Sequence, residues 1–158
     1  MASLTKIMNF VTILGILKTY NINPKNIRVP VCERSASIPG TTAKLKKGDI
    51  LSLYDLFYGM MLPSGNDAAY QIAIIGGCIL KIIEEQPQKT NITSLDINNA
   101  MIKEKELVFS YLKAMNKKCG QLEMKRSKWS NPHGLSNKEN FTTVEDLFIL
   151  CSYAMKIK

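Results

Sequence analysis

Histidine is nearly absent from this 158-residue chain, where His133 stands alone. The four cysteines, Cys32, Cys78, Cys119 and Cys151, lie far apart and form no Cys-x-x-Cys pair. A metal centre needs a cluster of such ligands, so none is expected, and no motif calls for a cofactor. The cysteine spacing establishes neither a disulfide framework nor a redox compartment; Cys78 and Cys151 fall in helical apolar patterns and read as small core residues. Long basic runs are also missing, although 21 Lys+Arg against 13 Asp+Glu give a formal charge of +8. The basic residues are mostly scattered lysines without interleaved aromatics or zinc-finger spacing. They point to a general attraction for anionic surfaces, and nucleic acid is not expected as a partner. The apolar run near the start of the chain, Ile7 to Leu17, is too short for a membrane span. With no internal repeat or low-complexity tract either, one domain is the expected organisation.

What the chain does have begins at its start, where Ser3-Leu4-Thr5-Lys6 leads into the apolar run Ile7 to Leu17. If a helix begins at Ser3, residues three apart share a face, and the Ser3 hydroxyl lies beside the Lys6 amine. A serine is a weak nucleophile until a neighbouring base takes its proton, and an amine kept neutral by burial is such a base. The apolar surroundings of Lys6 supply that burial. Two plainer readings stand beside this one at this stage. Ser3 is a helix N-cap with a solvated lysine in the first turn, or the segment imitates the basic and apolar regions of a secretory leader, although no small-residue cleavage pattern follows it.

Further along, Ile27 to Val31 alternates like an edge strand, with Pro30 excluding a central position. Glu33 to Thr42 reads as a loop, and Leu45 to Leu51 as a small hairpin-like piece. Ser52 and Asp55 have capping-box spacing before the stripe Leu53, Leu56, Phe57 and Met60. Pro63 to Asp67 is a turn, and a second helix runs from Ala68 to about Glu85, making a helical hairpin with a Ser64-Gly65-Asn66 tip. A further helix is expected over Leu95 to Lys118, with Gly120 as its left-handed cap. Asn131-Pro132-His133-Gly134-Leu135 is a turn-rich loop. Thr143 and Asp146 again have capping-box spacing and open a last helix carrying Val144, Leu147, Phe148, Cys151 and Met155 as its stripe.

Three stretches thus stand in order: Ser-x-x-Lys on an apolar helix, Ser-Gly-Asn at a hairpin tip, and Asn-Pro-His-Gly-Leu before a capped helix. In this arrangement the chain resembles the serine-type D-Ala-D-Ala carboxypeptidases, low-molecular-mass penicillin-binding proteins of the β-lactamase/transpeptidase-like superfamily. Ser37 to Thr41, Leu45 to Asp49 and Leu56 to Ala69 also read like family segments. The resemblance implies an α+β fold of which this chain holds mostly the helical part. It implies a substrate ending in D-Ala-D-Ala, or a β-lactam that resembles it. Ser3 is then the nucleophile, Lys6 its general base, Ser64 the proton relay to the leaving D-alanine, and Asn66 a ligand of the substrate backbone that also holds Lys6. His133 is read as shaping its loop, outside the catalytic set.

The third motif of the superfamily, Lys-Thr-Gly, does not occur in the 158 residues. The expected domain over 1–158 is therefore a partial catalytic domain without the strands that precede Ser-x-x-Lys and the strand that carries Lys-Thr-Gly. Its expected properties are marginal stability, an exposed apolar patch, little carboxypeptidase activity, and a missing segment or partner over the uncovered face. The alternative is a catalytically inactive descendant serving as a binding module. Localisation is left open: the family usually acts outside the cytoplasm, and no export signal with a cleavage site is evident.

Overall fold

The structure, a computed structural model, describes residues 2–157; Met1, the first residue of the segment that imitates a secretory leader, lies outside them. In chain order the elements are α1 (Thr5–Thr19), β1 (Arg28–Pro30), α2 (Glu33–Ala36), β2 (Ile50–Ser52), α3 (Leu53–Met61), α4 (Asn66–Glu85), α5 (Ser94–Ala100), α6 (Glu104–Gln121) and α7 (Val144–Ala154). A 3-10 turn, Ala2–Leu4, leads into α1.

Helix α4 is the axis of the fold. Ala68, Ala69, Ile72, Ala73, Ile74, Ile75, Cys78 and Ile79 are all fully buried, so the helix is wrapped on every side. By length and composition it would pass for a membrane span, but its apolar surface is spent on its neighbours. Glycines set the spacing to α6: a Cβ at Gly77 would fall 2.2 Å from the Leu107 carbonyl oxygen, and one at Gly76 would fall 2.4 Å from the Tyr111 ring. Helix α1 buries Met8, Val11, Ile13 and Leu17 in the same core and leaves Ile7, Phe10, Leu14 and Ile16 half-covered. Ser52 and Asp55 form the expected capping box on α3. The sheet is a single antiparallel pair, β1 with β2, in the register Arg28↔Ser52, Val29↔Leu51 and Pro30↔Ile50.

Several local expectations are corrected. Residues 33–36, expected as loop, form a helical turn because the Cys32 thiol caps the Ser35 amide. Leu45 to Leu51 is no hairpin of its own; its end supplies β2, whose partner is β1. The helix expected over Leu95 to Lys118 is two helices. Thr93 and Asp96 form a capping box for α5, and the chain turns through a left-handed Lys103 (φ 60°) before α6 begins. Gly120 lies inside α6, and the left-handed cap falls on Glu123 (φ 59°). The Met124 and Glu123 amides donate to the carbonyls of Cys119 and Gly120 in a Schellman pattern. On α7 the expected stripe is mostly turned outward: Leu147 packs against the core, but Val144 (81%), Phe148 (73%) and Met155 (87%) are exposed, whereas Asp146 and Leu150 face inward. The cause is polar. Instead of closing a capping box, the Asp146 carboxylate accepts from the Arg126 amide (2.9 Å) and the Ser127 hydroxyl (2.6 Å), which turns that face of α7 to the interior. Cys151 is only half-buried, and all four thiols are free.

Candidate active site

The N-terminus of α1 separates Ser3 from Lys6. The 3-10 turn leaves Ser3 exposed, and α1 begins at Thr5 with Leu4 at its cap and no side chain capping it, so Ser3 is not an N-cap. Instead its Oγ accepts from the Ser64 hydroxyl at 2.7 Å. Lys6 points inward and is 3% exposed. Its Nζ donates to Asn66 Oδ1 and to the His133 carbonyl oxygen, both at 2.7 Å. The two residues of the Ser-x-x-Lys motif are thus tied to the two polar residues of the Ser-Gly-Asn turn, Ser3 to Ser64 and Lys6 to Asn66. That gathers all four candidates, Ser3, Lys6, Ser64 and Asn66, around one corner of the fold.

The turn itself is strained and braced. Ser64 sits at φ 57°, a left-handed conformation uncommon for a residue other than glycine. Thr41 holds it from one side, its hydroxyl donating to the Ser64 carbonyl (2.5 Å) while its own carbonyl accepts the Asn66 amide (2.8 Å). Asn66 Nδ2 donates to the Pro39 carbonyl (2.8 Å), so the side chain bridges Pro39 and Lys6 and is fixed at both ends. Gly40 lies against it: a Cβ there would fall 2.7 Å from Asn66 Nδ2. Behind the turn, the fully buried Asp67 carboxylate accepts from the Ala43, Leu45 and Ala68 amides and the Thr42 hydroxyl.

The remaining wall is the 131–135 loop. Asn131 Oδ1 accepts from the Gly134 amide (2.6 Å), and its Nδ2 donates to the Leu135 carbonyl (2.9 Å), which curls the loop on itself. Gly134, at φ +91°, passes so close to the turn carrying Ser3 that a Cβ would overlap the Ala2 carbonyl oxygen. Asn9 secures the loop from α1, donating to the Pro132 and Ala69 carbonyls (3.0 Å each) and accepting from the Tyr111 hydroxyl (2.8 Å). The His133 ring stacks on Tyr70 and accepts the Leu135 amide at Nδ1, while its carbonyl takes the Lys6 amine.

Burial pulls the Lys6 amine below the ordinary lysine range, and the charge of Asp67 opposes that fall in part. Burial, with the Lys6 charge beside it, also depresses His133 to about 4, so the ring is neutral at pH 7. For Asp67, burial alone would raise the carboxyl, but its hydrogen bonds outweigh burial and hold it below the carboxylate range. Among the described residues no group of His, Cys, Asp and Glu is arranged to hold a metal ion.

The motifs gave no individual role to Asp67, Asn9, Thr41 and Asn131. Asp67 looked like one more turn residue, and only its burial marks it out. The lone asparagine inside the apolar run, Asn9, was the one available signal, since a buried amide must find partners.

A family model for D-alanyl-D-alanine carboxypeptidases matches residues 108–158, the stretch from α6 through the His133 loop to α7. The D-alanyl-D-alanine carboxypeptidase DacF of Bacillus subtilis (strain 168) is 27% identical over 156 residues, 98% of this chain. Over its whole length the chain is thus similar to D-alanyl-D-alanine carboxypeptidases, and the family's own model matches its last third. Among solved structures, the S216A mutant of Streptomyces K15 DD-transpeptidase superposes with a TM-score of 0.75 at 26% identity over 100% of this chain. The carboxypeptidase DacD from Francisella tularensis gives a TM-score of 0.69 at 25% identity over 98% of the chain. The mostly helical fold is thus the helical part of a transpeptidase-like domain. The chain spans 32% of DacF, 52% of the K15 chain and 30% of the DacD chain.

Proposed function

We propose that this chain carries the nucleophile side of a serine D-Ala-D-Ala carboxypeptidase site and acts by acyl transfer on peptides ending in D-Ala-D-Ala, with β-lactams as acylating analogues. The observation that carries this reading is the double anchoring of Lys6. A neutral amine has two N–H groups and one lone pair. The carbonyl oxygens of Asn66 and His133 occupy both N–H groups, which leaves the lone pair as the remaining tetrahedral position, available to a proton. Burial favours that neutral form.

In this reading Ser3 Oγ attacks the carbonyl carbon of the terminal peptide bond and gives its proton to Lys6. The tetrahedral intermediate collapses as the proton passes through Ser64, in contact with Ser3 at 2.7 Å, to the departing D-alanine nitrogen. Water then attacks the Ser3 ester with the same two groups handling its proton. The positive end of α1 lies beside the developing negative charge and stabilises it. Asn66 has one Nδ2 hydrogen free after its bond to Pro39, the donor that a substrate carbonyl would take. The domain over 1–158 is read as part of a catalytic domain whose apolar outer surface, on α7 and on the half-covered side of α1, is covered by further polypeptide or a partner. Without a Lys-Thr-Gly motif, acylation by this chain is expected to run about two to three orders of magnitude below that of a complete site, the usual cost of one lost oxyanion donor.

The test is fluorescent penicillin at high concentration and long incubation, followed by peptide mapping. Slow labelling of the peptide containing Ser3, absent in Ser3→Ala, supports the reading; labelling that survives Ser3→Ala contradicts it.

A further inference from the structure

We propose that Asp67 is a positioning residue for this site: its buried carboxylate clamps the 39–45 strap, and the strap in turn imposes the conformation of Ser64 and Asn66. The inference rests on the acyl-transfer reading for its purpose, although its physical content is read without any reaction.

The geometry has two halves. On one side, Asp67 takes four hydrogen bonds, three of them from the strap: the Ala43 amide (2.9 Å), the Leu45 amide (3.1 Å) and the Thr42 hydroxyl (2.6 Å). The fourth comes from the Ala68 amide at 2.8 Å. On the other side, the same strap holds the Ser64–Asn66 turn through the Thr41 hydroxyl, the Thr41 carbonyl and the Pro39 carbonyl. A strained left-handed serine persists only where its surroundings over-determine it, and the strap is what does so here. The approach is close enough that a Cβ on Gly65 would fall 2.6 Å from Asp67 Oδ1 and 2.9 Å from the Ala43 nitrogen. Asparagine in place of Asp67 has the shape but not the chemistry. Its amide nitrogen would meet donors where the carboxylate accepts them, and its charge is gone.

Two titratable groups face Lys6, Asp67 from α4 and His133 from the 131–135 loop. Asp67→Asn therefore has a consequence that a mere loosening of the strap lacks: with the negative charge removed, Lys6 releases its proton at lower pH. The experiment is NMR of the 158-residue chain with ¹³C-labelled lysine, Lys6 being assigned by its loss in Lys6→Met, together with amide exchange. In Asp67→Asn the Lys6 midpoint is expected to move down, and the Asn66 and Ala43 amides to exchange at least about tenfold faster. In Thr42→Val, which removes the part-buried bond to Asp67 and the bond the hydroxyl accepts from the Lys44 amide but keeps the charge, the same amides exchange faster and Lys6 titrates as in the parent. A parent-like Lys6 midpoint in Asp67→Asn, or unchanged Asn66 exchange in both variants, overturns the proposal. None of these readouts needs acylation, so failure to label with penicillin would refute the functional reading separately.

Discussion

The Lys6 amine donates to Asn66 Oδ1 at 2.7 Å, joining residues sixty positions apart in the chain. The contact, with the one to the His133 carbonyl, fixes the Lys6 amine in a buried site. Replacing Lys6 with methionine keeps the apolar stem and removes the proposed base. Labelling of Ser3 by penicillin is expected to fall at least about a thousandfold, within the range for loss of a general base. Stopped labelling assays at matched protein concentration check this, with circular dichroism confirming the fold.

His133 gives the chain an acid-sensitive element. Its folded-state value of about 4 lies below the ordinary 6.5. A depressed value means that protons bind the unfolded chain more readily. The contribution of His133 to stability is therefore complete above about pH 6.5 and is lost as pH falls towards 4. Urea midpoints read from Trp129 fluorescence should fall through that window, and His133→Asn should flatten the slope there. The carboxylates held low, Asp67 and Asp55 among them, act at lower pH still.

Gly77→Ala sets two effects against each other. Alanine gains about 1 kcal/mol of helix propensity, but its methyl would fall 2.2 Å from the Leu107 carbonyl oxygen. That neighbour is backbone of the packed helix α6 and cannot step aside, and overpacking of this kind costs typically 1–3 kcal/mol or more. A net loss of about 1–2 kcal/mol in urea unfolding is expected.

Tyr111→Phe removes the hydroxyl that donates to the backbone and side-chain oxygens of Asn9. Both acceptors are buried, so the cost is about 1–3 kcal/mol. Because Asn9 also secures Pro132, exchange at the His133 loop should quicken in the same variant.

The exposed side chains of α7 invite the opposite test. Val144→Lys with Phe148→Glu alters residues that are 81% and 73% exposed. Folding stability should change by no more than about 0.5 kcal/mol, while concentration-dependent association, read by light scattering, should drop.

Part of the candidate site was legible because local chemistry announces it. Ser3 and Lys6, Ser64 and Asn66 were singled out by short spacings, and capping pairs such as Ser52–Asp55 marked helix starts correctly. What escaped was set by tertiary partners. The direction of α7 depends on where Asp146 finds donors, Arg126 and Ser127, twenty and nineteen residues away. The break before α6 depends on a left-handed Lys103 that no turn preference announces. Likewise the expected helical neighbourhood of Ser3 and Lys6 gave way to a 3-10 start that aims one side chain outward and the other inward. Their meeting point is supplied by Ser64 and Asn66.

The most direct measurement is intact-protein and peptide mass spectrometry after prolonged exposure of the 158-residue chain to a β-lactam. The expected result is a slow single acyl adduct on Ser3 that disappears in both Ser3→Ala and Lys6→Met. A folded chain that stays unmodified, or an adduct that persists in either variant, would contradict it.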